Sequence, residues 1–425
     1  MKLGRRAGAD IVGLDIQPGL IAAVKARVNG SILAERAAAL PLNSDTVREG
    51  EVVDQAALSD ALRELFAEND LGKRVRVGIA NQRTVMRTLE LPPVTDRKEL
   101  AAAVLFQAQD QVPMPLNNAV LDFHPLGVVE TPAGPRQRVV LVAAQRDMVE
   151  SLLAAVRGAG LTAEGVDLSA FALIRSLHQR EEDQSSRVLY LNVDGLTNLA
   201  IAEGTICRFT RVIGGGLEGM AGEIAERRGI PVAQARALLY AIDLTAPADD
   251  EPAAVVPATI EPDAETVAEP DVETVAETIA EPDVSEPAPA LSLEDHEARE
   301  HEMGYSETIA AAQSATQPES ESPSAAPASD ADVRAVLENG IREISGEVRN
   351  SLDFHRSQDE GGQVSHVALS GVALELPGFA EALQASLGVE VRSQAVGLVD
   401  AGLEGKVSTS RLSVAAGLAA LEAPQ

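Results

Sequence analysis

Residues 188–216, VLYLNVDGLTNLAIAEGTICRFTRVIGGG, read as an aliphatic strand that reaches a polar turn at 192–195, returns as further strands, and stops at Gly214-Gly215-Gly216 ahead of a helix. A sheet edge makes a phosphate cradle in this way, because backbone N–H groups at turns and helix N-termini converge on an anion. Two other stretches share the form: IVGLDIQPGLIAAVKA at 11–26 and VSHVALSGVALELPGF at 364–379. Together they predict a nucleotide cleft. Each lacks a residue that a working cradle needs, so the residues alone leave two readings open, a cradle and a set of tight turns.

At 425 residues the chain is long enough for two or three domains and a large core. Its charge of −30 is uneven, since residues 246–330 hold 22 acidic side chains and one basic one, Arg299. This segment also has 11 of the 23 prolines and an eight-residue repeat, EPDAETVA then EPDVETVA. Too little apolar surface is available there to offset about 1–2 kcal/mol of backbone entropy per residue, which predicts a disordered acidic insertion. With no Trp, three Tyr and no basic stripe, a nucleic-acid surface is not expected. The one cysteine, Cys207, excludes an internal disulfide and reads as a buried thiol. The N-terminus reaches Asp10 and Asp15 before an apolar run develops, unlike a signal peptide, and no apolar run approaches the ~20 residues of a spanning helix.

Organisation follows from periodicity. Residues 8–86 read as three strands, a helix from Asp54 whose Leu58, Leu62, Leu65 and Phe66 share a face, and a strand at RVRVGIA. An inserted sheet-and-helix unit is expected at 87–168, with helices at 96–111 and 148–159 and strands at 119–129, 138–145 and 161–166. Residues 169–245 carry a helix, three strands and two more helices, and the acidic segment follows. The fold resumes over 331–422 with a long helix striped by Val333, Val336, Leu337, Ile341, Ile344, Val348 and Leu352, then strands at 364–370 and 389–391 and helices at 379–386 and 411–421.

Other chemistry is poorly supported. His296 and His301 are five apart, about 140° round a helix, and do not make a zinc pair. GAGLTA at 158–163 follows a helix and precedes a strand, the reverse of a dinucleotide fingerprint, and no P-loop pattern or nucleophilic triad occurs. Candidate nucleotide-contacting residues are therefore those of the turns: Asp15, which would hold a Mg²⁺-bound water, Thr197, Gly214, Gly215, Ser370 and Gly371.

The wording of VGLDIQPGLIAAV (12–24), LPPVTDRKELAAAVLFQAQDQVPMPLNNAVLDFHPLG (91–127), VVLVAAQRDMVESLLAAVRGAGLTAEGVDLSAFALIR (139–175), FTRVIGGGLEGMAGEIA (209–225), GEVRNSLDFHRS (346–357) and ALSGVALELPGF (368–379) resembles the PilM family of actin-like type IV pilus assembly proteins. The resemblance spans about 8–245 and 331–422 and leaves out the acidic segment. It implies an α/β, actin-like (ribonuclease H-like) two-lobed fold with an FtsA-type inserted subdomain. It also implies ATP and Mg²⁺ in the cleft and a groove in the inserted subdomain for the N-terminal cytoplasmic tail of PilN, a membrane protein. Location at the cytoplasmic face of the inner membrane, contact with motor ATPases and ring assembly are implied as well.

Departures from the family pattern fall in the cleft. Its usual D-I-G-S-S-S-I-K reads here as Asp15-Ile16-Gln17-Pro18-Gly19-Leu20-Ile21-Ala22, its D-I-G as Asn192-Val193-Asp194, and its S-G-G as Ser370-Gly371-Val372. Its A-E-x-x-K reads Ala235-Arg236-Ala237-Leu238-Leu239. These changes predict weakened or lost ATP binding and a scaffold in place of an enzyme. The rival readings are an active ATPase or small-molecule kinase of the same superfamily and an FtsA-like filament protein. The latter needs an amphipathic C-terminal anchor, which SRLSVAAGLAALEAPQ, with Arg411 as its one basic residue, does not offer.

Overall fold

The computed structural model describes residues 11–179, 186–246, 330–357, 362–399 and 407–420; residues 247–329 of the acidic insertion, with both of its histidines, lie outside them. In the first lobe β1 (Val12–Gln17) pairs antiparallel with β2 (Leu20–Val28), and β2 with β3 (Ile32–Pro41). A two-stranded ribbon, β4 (Val47–Arg48) and β5 (Glu51–Val52), and helix α1 (Gln55–Glu68) lead to β6 (Arg74–Ile79), which lies parallel to β1 on its other side. Asp54 starts α1 by accepting the Ala57 N–H at 2.9 Å, as its N-cap position predicts.

A separate antiparallel sheet follows, β7 (Val85–Leu91), β9 (Gly134–Gln145) and β8 (Ala119–Thr131) in that spatial order, with α2 (Arg97–Gln111) between β7 and β8 in the chain. Leu89, Leu91, Leu100, Val104, Ala108, Val139 and Leu141 form its own core. The rest of the 87–168 stretch joins the first lobe. Helix α3 (Arg146–Gly158) packs on α1, and β10 (Thr162–Leu168) pairs parallel with β6.

Helix α4 (Ser169–Leu177) leads into the second lobe, whose sheet comprises β11 (Arg187–Val193), β12 (Thr197–Glu203), β13 (Ile206–Ile213), β14 (Val364–Ser370) and β15 (Val391–Ser393). Its order, β13-β12-β11-β14-β15, and its strand directions repeat β3-β2-β1-β6-β10 of the first. The chain thus holds two copies of one sheet plan, the two-lobed arrangement expected from the sequence. Helices α5 (Leu217–Arg228), α6 (Val232–Tyr240), α7 (Asp330–Ser357) and α8 (Phe379–Leu387) cover the second sheet. The whole predicted α7 stripe is buried there, each aliphatic residue contributing about 1.5–3 kcal/mol. A short strand, β16 (Gly397–Leu398), crosses back to extend the first sheet beside β3.

The last helix, α9 (Ser413–Ala419), is shorter than the expected 411–421, because residues 409–412 form a 3-10 turn and Ala420 is already extended. It packs on β1, β2 and β6 of the first lobe, while α4 packs on β11 and β12 of the second, and the two helices touch. Each lobe therefore ends in a helix applied to the other. Small residues permit the contact: a Cβ on Gly13 would lie 1.8 Å from the Ala415 carbonyl oxygen, and one on Gly417 would lie 1.9 Å from that of Ala172. Both glycines are there for close backbone approach.

Candidate functional site

The three turns meet where the lobes face each other. In the first, the β1–β2 ladder continues to the Gln17–Leu20 pair, so the tip is only Pro18 and Gly19. Gly19 has φ 81°, the left-handed value that the second tip residue of a type II turn requires after proline. Proline has no N–H, which leaves this tip without the row of free amides that an anion cradle uses.

The second turn is tied up internally. The buried Asp194 donates its N–H to the Leu196 carbonyl at 3.0 Å and accepts the Leu217 N–H of α5 on its own carbonyl at 2.9 Å. Its carboxylate accepts the Asn192 amide and the backbone N–H of Val372, both at 2.6 Å. Asp194 therefore bridges the second turn to the third. In that third turn Gly371 has φ 100°, and a Cβ there would lie 2.5 Å from the Val193 carbonyl oxygen. The first and second turns abut as well, since a Cβ on Gly195 would lie 2.1 Å from the Pro18 carbonyl oxygen.

Asp15 sits beside this knot on β1, 3% exposed, with the Gln17 amide 3.4 Å from both of its carboxylate oxygens. Burial, reinforced by the charge of Asp194, pushes its carboxyl up to about 7, with the Gln17 hydrogen bond working the other way. Burial also raises Asp194, against the Val372 and Asn192 hydrogen bonds. Ser370 donates to the Ser413 hydroxyl at 2.6 Å, joining β14 to the start of α9. Gly214 is covered by the Gln82 amide, whereas Gly215, φ 103°, has open space beside it. Thr197 pairs across the ladder with Val193 and Ile213, both members of the second-lobe core, and so shares their face. Its hydroxyl is fully buried without a partner. The turns thus gather Asp15, Ser370 and Gly371 near one another, while Thr197 points into a core.

The cleft between the turns encloses about 160 Å³, below the roughly 300–1,000 Å³ usual for small-molecule sites. Pro18, Gly19, Leu20, Gly195, Val372 and Tyr240 line it, together with members of two forked ion pairs. Arg236 contacts both Glu218 oxygens at 2.9 and 2.6 Å, and Arg411 both Glu375 oxygens at 2.7 and 2.6 Å. Burial works against ionised Glu375, yet the hydrogen bonds from Arg411 and Ser410 hold its carboxyl below the ordinary range. Both Arg forks are directed at protein carboxylates.

Three of these features were not anticipated: Leu20 as an apolar cleft residue, Asp194 as a bridge, and the two ion pairs. The Pro18-Gly19 dipeptide is itself a turn signal, and it announced a tip too short for a cradle. Elsewhere, Cys207 is buried, its thiol raised to about 12 by burial while donating to the Phe209 carbonyl at 3.3 Å. Among the described residues no group of three or more His, Cys, Asp or Glu is placed to hold a metal ion.

Comparison with known proteins places this geometry. A solved PilM-PilN type IV pilus biogenesis complex contains a chain that is 20% identical, with a TM-score of 0.67 over 97% of this chain and 98% of that one, so the two-lobed actin-like fold is shared. The ethanolamine utilization protein EutJ from Carboxydothermus hydrogenoformans gives 15% identity and a TM-score of 0.46, covering 96% of this chain and 88% of that one. MreB5 of Spiroplasma citri bound to ADP gives 12% and 0.42, covering 96% and 94%. The family model for the type IV pilus assembly protein PilM matches residues 13–235, more than half of the chain, which therefore belongs to the PilM family.

Proposed function

We propose that this chain is a pilus-assembly scaffold that grips the N-terminal tail of a PilN-like membrane protein and works by binding, without ATP turnover. The observation that carries the nucleotide-free part is the state of the turns. A triphosphate needs free donors and a metal-facing carboxylate, and what the turns present is a proline-glycine tip, an Asp194 whose oxygens already hold protein N–H groups, and an Asp15 that is buried beside the Gln17 amide and does not line the cleft. The residues present do not fit ATP with Mg²⁺.

The docking part rests on the family and on the small sheet. Leu105 and Phe106 of α2 are 51% and 71% exposed, the kind of apolar surface that takes a partner segment. In this reading the tail lies against the β7-β9-β8 subdomain, and the protein sits at the cytoplasmic face of the inner membrane through that partner. Among the described residues no helix is long and apolar enough to cross a membrane. Contacts with motor ATPases and assembly into rings belong to the same reading. The test is fluorescence anisotropy of a labelled PilN-like N-terminal peptide titrated with nucleotide-free protein. Saturable binding that added Mg²⁺-ATP leaves unchanged supports the scaffold, and binding only in the presence of ATP overturns it.

A further inference from the structure

Leu20 belongs to β2 of the first sheet, yet it is buried in the core of the second lobe, the cluster of Leu191, Val193, Leu199, Leu217 and Val372. Along β2 the face alternates: Ile21 and Ala23 join the first-lobe core, and Ala22 and Val24 pack with Leu412, Ala415 and Ala416 around α9. Only the strand's first residue, beside the turn, reaches across. Its neighbours make the same crossing by backbone. The Pro18 carbonyl rests on Gly195, and Gly19 rests on the Glu218–Arg236 pair, where a Cβ would lie 2.6 Å from the Glu218 carboxylate and 2.8 Å from the Arg236 guanidinium. Asp194 then fastens the two second-lobe turns to each other through the Val372 N–H.

We propose that Leu20, seated by the Pro18-Gly19 turn, is a built-in latch that holds the two lobes closed, the task that a ligand between lobes would otherwise perform. The proposal rests on the nucleotide-free reading above and adds what replaces the nucleotide. Three elements make it specific: an apolar side chain at the strand end, a two-residue tip that brings it close, and two glycines, Gly195 that lets the turns touch and Gly19 that lets the tip settle on the Glu218–Arg236 pair.

The experiment is a distance measurement by pulsed electron paramagnetic resonance. Spin labels go on Glu68→Cys of α1 and Ala385→Cys of α8, both exposed and in different lobes, in a Cys207→Ser background. With Leu20 intact, one narrow distance distribution is expected, unchanged by millimolar Mg²⁺-ATP. Leu20→Met, which keeps the apolar volume, retains it, whereas Leu20→Val adds a minor longer-distance population and Leu20→Ser a major one. Leu20→Val stays close enough to the native core to fold, so the series is readable even where the serine variant is not. Identical distributions for Leu20 and Leu20→Val overturn the latch and leave the tail-binding reading intact. Narrowing of the native distribution by ATP overturns both.

Discussion

Asp15→Asn is the perturbation whose outcome follows most directly from the cleft. The native state holds the Asp15 proton to about pH 7, against 3.8 as its ordinary value, because burial and then Asp194 disfavour the charge. A raised carboxyl makes folding bind a proton. Below about pH 4 both states are protonated and the group has no effect; as pH climbs to about 7 the unfolded chain releases its proton and the native one does not, so stability falls. At 1.36 kcal/mol per pH unit over roughly three units, the cost reaches about 4 kcal/mol and is flat above the native value. Asparagine cannot ionise and still presents an oxygen to the Gln17 amide. Urea denaturation of both proteins from pH 4.5 to 8.5 is therefore expected to show a difference that grows with pH in favour of Asp15→Asn and levels off near pH 7.5, at a few kcal/mol. A difference between the two proteins that does not grow over pH 5–7, or an Asp15→Asn variant weaker than the native protein at pH 8, would mean that Asp15 is held ionised in the native state and would refute the reasoning.

Gly13→Ala drives a methyl into the Ala415 carbonyl, and thermal melting should show a loss of about 3 kcal/mol or more; a change under about 1 kcal/mol would refute the backbone contact of α9 with β1. Glu375→Gln weakens the fork to Arg411, whose partners are each about a quarter exposed, so the loss in urea titration should be about 1–2 kcal/mol and the variant should be less sensitive to salt than the native protein. Phe106→Ser should leave the melting temperature nearly unchanged, since the ring is 71% exposed, and reduce affinity for the PilN-like tail about tenfold; unaltered affinity places the tail elsewhere.

Much of the fold was legible because its signals are local. The α7 stripe, the Asp54 cap and the aliphatic strand runs each record a period or a terminus in neighbouring residues, and the structure places those elements within a few positions of the expected ones. Long-range pairing was not legible. Nothing near Thr162–Leu168 says that this strand joins β6 across an intervening sheet, and the two-residue β16 has no period to detect. The site divided in the same way. Its turns were visible, and so were the departures from the family wording. Two facts depended on which face a residue takes once the lobes meet: Leu20 crossing into the opposite core, and Thr197 turning into its own. The Asp194 bridge needed the third turn, Gly371-Val372, brought to 2.6 Å from a residue far earlier in the chain.

The most direct test of the central claim is isothermal titration of the purified chain with Mg²⁺-ATP, followed by the PilN-like tail in the same cell. The expected result is no binding heat for ATP up to millimolar concentration and a saturable heat for the tail. Micromolar ATP binding, with phosphate released over time, would contradict it and make the cleft that of a working ATPase.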